Sequence, residues 1–141
     1  MAVLKILFLL CLFLISPLVR AEIVVVAHPK SGIEHLTRDD VMNIYLGRYR
    51  RLPAEQTAEP VDMQGDSEIK ARFYRSLVGK SLAEINSYWA RLVFSGKTRP
   101  PIALASAEEA IQFVARYPGA LAYVERRRVD RRVVIVFEIG D

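Results

Sequence analysis

A run of β-branched residues near the start of the chain constrains the fold most. Glu22 is followed by Ile-Val-Val-Val-Ala, an apolar stretch of strand length in which no polar residue alternates with the apolar ones. A strand that faces water on one side alternates apolar and polar residues, whereas a strand covered on both faces does not. The sequence therefore predicts a central strand over residues 22–28 that is covered on both of its faces.

Strand and helix patterns alternate along the rest of the chain. Helices are predicted where apolar residues recur every three or four positions between capping residues, over residues 37–47, 67–79, 81–94 and 106–117. Further strands are predicted over residues 60–64, 120–124 and 131–139. Such alternation predicts an α/β fold, namely a three-layer single domain with a mixed β-sheet.

Two of the predicted helices begin with the spacing of a capping box. Ser81 precedes Glu84 by three residues, and Ser106 precedes Glu109 by the same interval. In a capping box the serine side chain and the acidic side chain exchange hydrogen bonds with the backbone of the first helical turn. Both pairs therefore predict secure helix starts, and the helix after Ser81 carries an apolar stripe that ends at Leu92 and Val93.

The first 21 residues have the pattern of a secretory signal peptide. Lys5 precedes an apolar run over residues 6–19, and a small-residue cleavage pattern ends at Ala21. The run is shorter than the roughly 20 residues that a spanning helix needs. We expect a signal peptide over residues 1–21, a periplasmic domain over residues 22–141, and membrane contact only through the signal peptide. A retained membrane anchor is the alternative.

Composition excludes several classes of function. Cys11, the one cysteine, lies inside the signal sequence, so the mature chain would lack thiol catalysis and cysteine-ligated metal. Residues 22–141 contain 18 Lys and Arg against 16 Asp and Glu, a balance too mild to indicate nucleic-acid binding. No nucleophile elbow or other catalytic spacing occurs. We expect a protein that is not an enzyme and that has no cofactor or bound metal.

The loops after the first two strands are candidate anion sites. In open α/β sheets, ligands lie beyond the carboxyl ends of strands, where the next helix presents unpaired backbone N–H groups. If the two strands are neighbours, the loop from His28 to Ser31 and the turn of Gly65, Asp66 and Ser67 share one rim. The alternative for the turn is a plain helix N-cap.

A third candidate is the cationic loop that contains Lys97 and Arg99. Gly96, Lys97 and Thr98 resemble part of a nucleotide phosphate loop, but Arg91 stands where that motif requires glycine. We therefore interpret Lys97 and Arg99 as neighbours of an anion site or, alternatively, as a solvated connection.

Three blocks of the sequence resemble the phosphate-binding proteins of ABC importers. These are "LTRDDVMNIYLGRYRRLP", "PVDMQGDSEIKARFY" and "YPGALAYV". In the family the second block typically contains Gly-Ser-Gly-Thr-Arg, and the third block typically reads Pro-Gly-Ala-Ile-Gly-Tyr-Val. The order and spacing of the blocks agree, so the chain resembles one lobe of a periplasmic binding protein.

The resemblance implies a phosphate contact at Ser67, but neighbouring residues depart from the family pattern. Glu68 stands in place of a glycine, Ile69 in place of the threonine, and Lys70 in place of the arginine. Without the threonine hydroxyl the turn has one hydrogen-bond donor fewer, and a carboxylate beside the bound anion lowers the affinity for that anion. We therefore expect weak binding of phosphate or a similar oxyanion, with an ABC permease or another envelope protein as partner. The alternative is an envelope adaptor that keeps the fold without binding an anion.

Overall fold

A computed structural model describes residues 20–140 of the chain. It contains five strands: β1 (Ile23–Ala27), β2 (Glu59–Met63), β3 (Ile102–Leu104), β4 (Ala120–Glu125) and β5 (Val134–Glu138). Its four α-helices are α1 (Arg38–Tyr45), α2 (Glu68–Val78), α3 (Leu82–Ser95) and α4 (Ala107–Arg116). Short 3-10 helices span Pro53–Glu55 and Arg126–Arg128.

The strands form one mixed sheet in the order β3-β2-β4-β1-β5. β2 is parallel to both β3 and β4, whereas β1 is antiparallel to β4 and β5. All five residues of β1 are buried, which confirms the strand predicted from the β-branched run. It lies one position from the middle of the sheet, which β4 occupies.

The helices cover the two faces of the sheet, so the predicted three-layer α/β fold is confirmed. The chain passes from β2 through α2 and α3 to β3, and then returns through α4 to β4. These two crossovers move in opposite directions across the sheet, and right-handed connections therefore place their helices on opposite faces. Accordingly, α4 packs mainly on the strands, whereas α2 packs against α1 and α3.

An aromatic cluster joins α1 and α2 to the sheet. The Phe73 ring of α2 stacks on the Tyr123 ring of β4 with 3.9 Å between the centroids, and Tyr45 of α1 meets Phe73 edge to face. The Tyr45 hydroxyl donates a hydrogen bond of 3.0 Å to the carbonyl oxygen of Val61 in β2. The cluster fixes the position of α2, and therefore of its first turn, relative to β2 and β4.

The helix starts follow the sequence prediction with one exception. Ser81 and Glu84 form the full capping box at the start of α3. At α4, Ser106 accepts from the Glu109 backbone as predicted, but the Glu109 carboxylate accepts from the N–H of Ala105 and not from that of Ser106. The reciprocal bond predicted at Ser106 is therefore wrong. Ser106 has φ −149°, against −73° at Ser81, and this rotation turns its N–H away from Glu109.

The last turn of α3 differs from the predicted apolar stripe. Val93 is 53% exposed and Phe94 is 95% exposed, although Trp89, one turn earlier, is buried. α2 and α3 pack side by side, and α3 is three residues longer than α2, so its final turn extends beyond its neighbour.

No helix in residues 20–140 combines the length and the apolar character that crossing a membrane requires. The predicted signal peptide lies almost entirely outside these residues, so it stays a prediction.

Candidate functional site

The carboxyl ends of three parallel strands meet at one edge of the sheet. β2 ends at Met63, β3 at Leu104 and β4 at Glu125, and the backbone N–H of Gln64 donates to the Leu104 carbonyl oxygen at 2.9 Å. A cavity of about 200 Å³ opens there, and we call it the edge cavity. Its walls come from these strand ends and from the loops that follow them: Met63, Gln64, Ser67, Ile69, Ala105, Ser106, Ala107, Glu125 and Arg128.

Two helices begin at the edge cavity. Ser67 caps α2 by accepting from the N–H of Lys70 at 3.3 Å, and Ser106 caps α4 by accepting from the N–H of Glu109 at 3.1 Å. The first N–H groups of a helix have no acceptor within the helix, and the helix dipole places a partial positive charge there. The two starts therefore present backbone donors to the same cavity, while the acidic residues of their first turns, among them Glu68 and Glu109, offset part of the positive potential.

One cation and one acid also line the edge cavity. Arg128 ends the 3-10 helix that follows β4, and within residues 20–140 it forms no ion pair. Glu125, at the end of β4, pairs with Arg127, so its charge is partly compensated. Arg128 is thus the side chain at this edge that is best placed to meet an anion.

A buried polar network lies directly behind the edge cavity. Asp62, the residue before Met63, is 6% exposed and accepts hydrogen bonds from the hydroxyls of Tyr74 and Tyr123. Lys70 reaches inward, with its Nζ 3.8 Å from the Asp62 carboxylate. Burial raises the pKa of both tyrosines well above the ordinary value of about 10, and the negative charge of Asp62 raises it further. Lys70 is therefore committed to Asp62 and is absent from the cavity wall.

Solved structures with this fold share low sequence identity with the chain. An ABC-type phosphate transport receptor from Vibrio cholerae matches with a TM-score of 0.65 and 16% identity, over 82% of this chain and 45% of that chain. A putative phosphate ABC transporter substrate-binding protein with bound phosphate, from Clostridium perfringens, matches with a TM-score of 0.67 and 17% identity, over 82% and 44%. PstS from Borrelia burgdorferi gives a TM-score of 0.63 and 13% identity, over 83% and 47%.

The chain has the fold of one lobe of these proteins. It spans less than half of the length of each of the three. No protein-family model matches the sequence, and no curated protein matches it. The predicted architecture, a three-layer α/β lobe, is thus confirmed at the level of the fold.

The structure separates the predicted site residues of this lobe into two groups. Ser67 lines the edge cavity, and Gly65 and Asp66 are exposed in the turn before it. Gly65 has φ +70°, a left-handed backbone conformation that glycine adopts without strain. The predicted turn therefore lies beside the edge cavity, with Ser67 as its one lining residue.

His28 and Ser31 lie at the opposite edge of the lobe. β1 is antiparallel to β4 and is separated from β2 by β4, so the loop after β1 leaves the sheet on the side where β2 begins. Ser31 is buried, and its hydroxyl accepts from the N–H of Ile33 at 3.2 Å. The two loops would share one rim only if the first two strands were neighbours, and this condition is not met, because β1 and β2 are neither neighbours nor parallel.

Lys97 and Arg99 also lie away from Ser67. Their loop precedes β3, which is parallel to β2, and so it lies at the edge where the parallel strands begin. Arg99 donates a hydrogen bond of 2.7 Å to the carboxylate of Glu59, the first residue of β2, and Lys97 is exposed. The structure therefore places this loop at the opposite end of the parallel strands from Ser67.

Ser106 and Arg128 line the edge cavity but were not among the predicted site residues. Ser106 was predicted only as a helix cap, and no site was predicted at residues 126–128. The two residues share their position in the fold, because each lies in the segment that follows a strand parallel to β2. Among residues 20–140, no three His, Asp or Glu side chains come together as metal ligands would.

Proposed function

We propose that the edge cavity binds a small oxyanion such as phosphate, and that it does so weakly. The observation that carries the proposal is the convergence of the first turns of α2 and α4 with the Arg128 guanidinium on one cavity. Backbone N–H groups at helix starts bind phosphate-like anions in many α/β proteins, and a guanidinium adds a charge-assisted hydrogen bond. The solved structure from Clostridium perfringens, which has this fold, contains bound phosphate.

Three features of the edge cavity favour low affinity. Ile69 stands where the resembled family has a threonine, so this part of the cavity wall is apolar. Glu125 also places a carboxylate near the anion. In addition, residues 20–140 form one lobe, so an anion bound there stays in contact with water. Water competes for its hydrogen bonds and raises the local dielectric constant, and both effects weaken binding.

Phosphate titration of residues 22–141, followed by amide chemical shifts in NMR spectra, tests the proposal. We expect a dissociation constant in the millimolar range, with the largest shifts in the first turns of α2 and α4. Arg128→Ala should weaken binding about fivefold, since an exposed charge-assisted hydrogen bond contributes roughly 1 kcal/mol. Ser67→Ala should also weaken binding, because it removes a hydroxyl that caps α2 and lines the cavity.

Two control variants separate a direct effect on binding from a general one. Arg131→Ala removes an exposed arginine that does not line the cavity, and Ser81→Ala removes the N-cap of α3. Both should leave phosphate affinity unchanged. The absence of any shift in the edge cavity at tens of millimolar phosphate would overturn the proposal.

We further propose that residues 1–21 are cleaved as a signal peptide and that the lobe acts in the periplasm. This proposal rests on the apolar run over residues 6–19 and the small-residue pattern that ends at Ala21. Expression of the full chain in a Gram-negative host should yield a periplasmic protein whose intact mass corresponds to residues 22–141. Recovery solely from the membrane fraction, with residues 1–21 retained, would contradict it.

A protein-binding role is the second candidate function. It is favoured by the Ile69 side chain in the cavity wall and by the inward position of Lys70, both of which remove anion donors from this edge. Cross-linking in cells distinguishes the two functions. Recovery of permease subunits would support a transport role, whereas a stable complex with another envelope protein, in a chain that shows no phosphate shifts, would support the adaptor.

A further inference from the structure

A second cavity, of about 370 Å³, lies on the helical face of the lobe, and we call it the helix groove. It is bounded by the end of α1, the turn that joins α2 to α3, and α3 as far as Arg91. The first turn of α2 lines the edge cavity through Ile69, whereas the last residue of the helix, Val78, lines the helix groove. A helix of this length spans about 16 Å, so the two cavities are separate sites.

The floor of the helix groove is apolar. Leu46 and Ile85 are buried beneath it, and Val78 and Tyr88 are half-buried in its walls. The Tyr88 hydroxyl donates to the Leu46 carbonyl oxygen at 2.7 Å, so its polar end already has a partner. An apolar body therefore matches this floor better than a polar one does.

The rim of the helix groove is cationic. It carries Arg48, Lys80 and Arg91, and its one acid is Glu84. The Glu84 carboxylate accepts hydrogen bonds from Ser81 in the helix cap and lies 3.5 Å from Lys80. No acidic group in the described part of the chain lies within ion-pair distance of Arg48 or Arg91.

We propose that the helix groove binds an anionic amphiphile, a small molecule with an alkyl or aryl body and a phosphate or carboxylate head. The body would cover the apolar floor, and the head would meet Arg48 and Arg91 at the rim. The volume lies within the range of about 300–1,000 Å³ that is typical of small-molecule sites. A concave floor also fits an inserted alkyl chain better than it fits the flat surface of a bilayer.

Titration with hexyl, octyl and decyl phosphate, each below its micelle concentration, tests this proposal on residues 22–141. Chemical shifts should change at the helix groove, and affinity should rise about fourfold for each methylene group that becomes buried. Alkyltrimethylammonium compounds with the same chains should bind about tenfold more weakly, because their heads are repelled by the rim. Inorganic phosphate alone should leave the helix groove unshifted, which keeps this result distinct from binding at the edge cavity.

Matched variants locate the site. Ser87→Trp should fill the groove and abolish binding, whereas Ala90→Trp, one turn further along the exposed side of α3, should have no effect. Arg91→Glu should weaken binding at least tenfold, whereas Arg131→Glu makes the same charge change at a distant exposed site and should not.

Three outcomes would overturn the proposal. One is equal affinity for phosphate and trimethylammonium heads, and another is unchanged binding in the Ser87→Trp variant. The third is binding to vesicles of anionic lipid without binding to the monomeric alkyl phosphates, since that would indicate a surface contact and not an inserted ligand.

Discussion

Replacing Asp62 with alanine should lower the free energy of unfolding by about 3–5 kcal/mol. Asp62 is 6% exposed, and its carboxylate accepts from the Tyr74 hydroxyl at 2.6 Å, from the Tyr123 hydroxyl, and from the Met63 N–H at 2.8 Å. Its loss would leave two buried hydroxyls and the Lys70 ammonium without their acceptor. Buried donors without partners incur their full desolvation penalty. Urea unfolding followed by circular dichroism measures the effect.

Two further variants distinguish the network from a general loss of charge. Asp66→Ala removes an exposed aspartate in the next turn and should change stability by no more than about 0.5 kcal/mol. Tyr74→Phe should cost about 1 kcal/mol alone, and less in the Asp62→Ala background, where its hydroxyl has already lost its acceptor. A loss below about 1 kcal/mol for Asp62→Ala would show that the network does not hold α2 on the sheet.

The main elements of the fold could be predicted because their residues carry strong periodic patterns. The β-branched run identified a strand buried on both faces, and serines at positions 67, 81 and 106 marked helix starts that the structure contains. β3 was missed. It has only three residues and follows Pro100 and Pro101. It is an outermost strand of the sheet and Ala103 is exposed, so neither its length nor an alternation of apolar and polar residues identifies it.

The candidate site was only partly predictable, because the direction of each strand decides which loops meet. Ser67 could be found, since the turn before a helix that follows a strand is an expected ligand position. The sequence does not reveal that β1 is antiparallel to β4, and this direction moves His28 and Ser31 to the far edge. The same topology brings Ser106 and Arg128 to Ser67 from loops more than 35 residues away.

Raising the pH above about 10 should unfold the protein steeply, because three tyrosines are fully buried. Burial raises the pKa of Tyr45, Tyr74 and Tyr123 well above the ordinary value, and the Asp62 charge raises each further. These phenols keep their protons in the folded chain at pH values at which the unfolded chain releases them. Their contribution is therefore fully present below pH 10 and is lost above it, by about 1.4 kcal/mol per pH unit for each tyrosine.

The alkaline prediction can be checked by urea unfolding at a series of pH values from about 8 to about 11. With three buried phenols, the free energy of unfolding should fall by roughly 4 kcal/mol per pH unit above 10. Tyr45→Phe should reduce this slope by about a third, and Tyr49→Phe, at a ring that is 47% exposed, is the matched control. Phenolate absorbance adds a direct readout, since half of the six tyrosines should ionise only as the near-ultraviolet circular dichroism of the folded chain disappears. Ionisation of all six in a chain that still has its native spectrum would contradict the assignment, because a buried phenolate beside Asp62 would bring two negative charges together in a site of low dielectric constant.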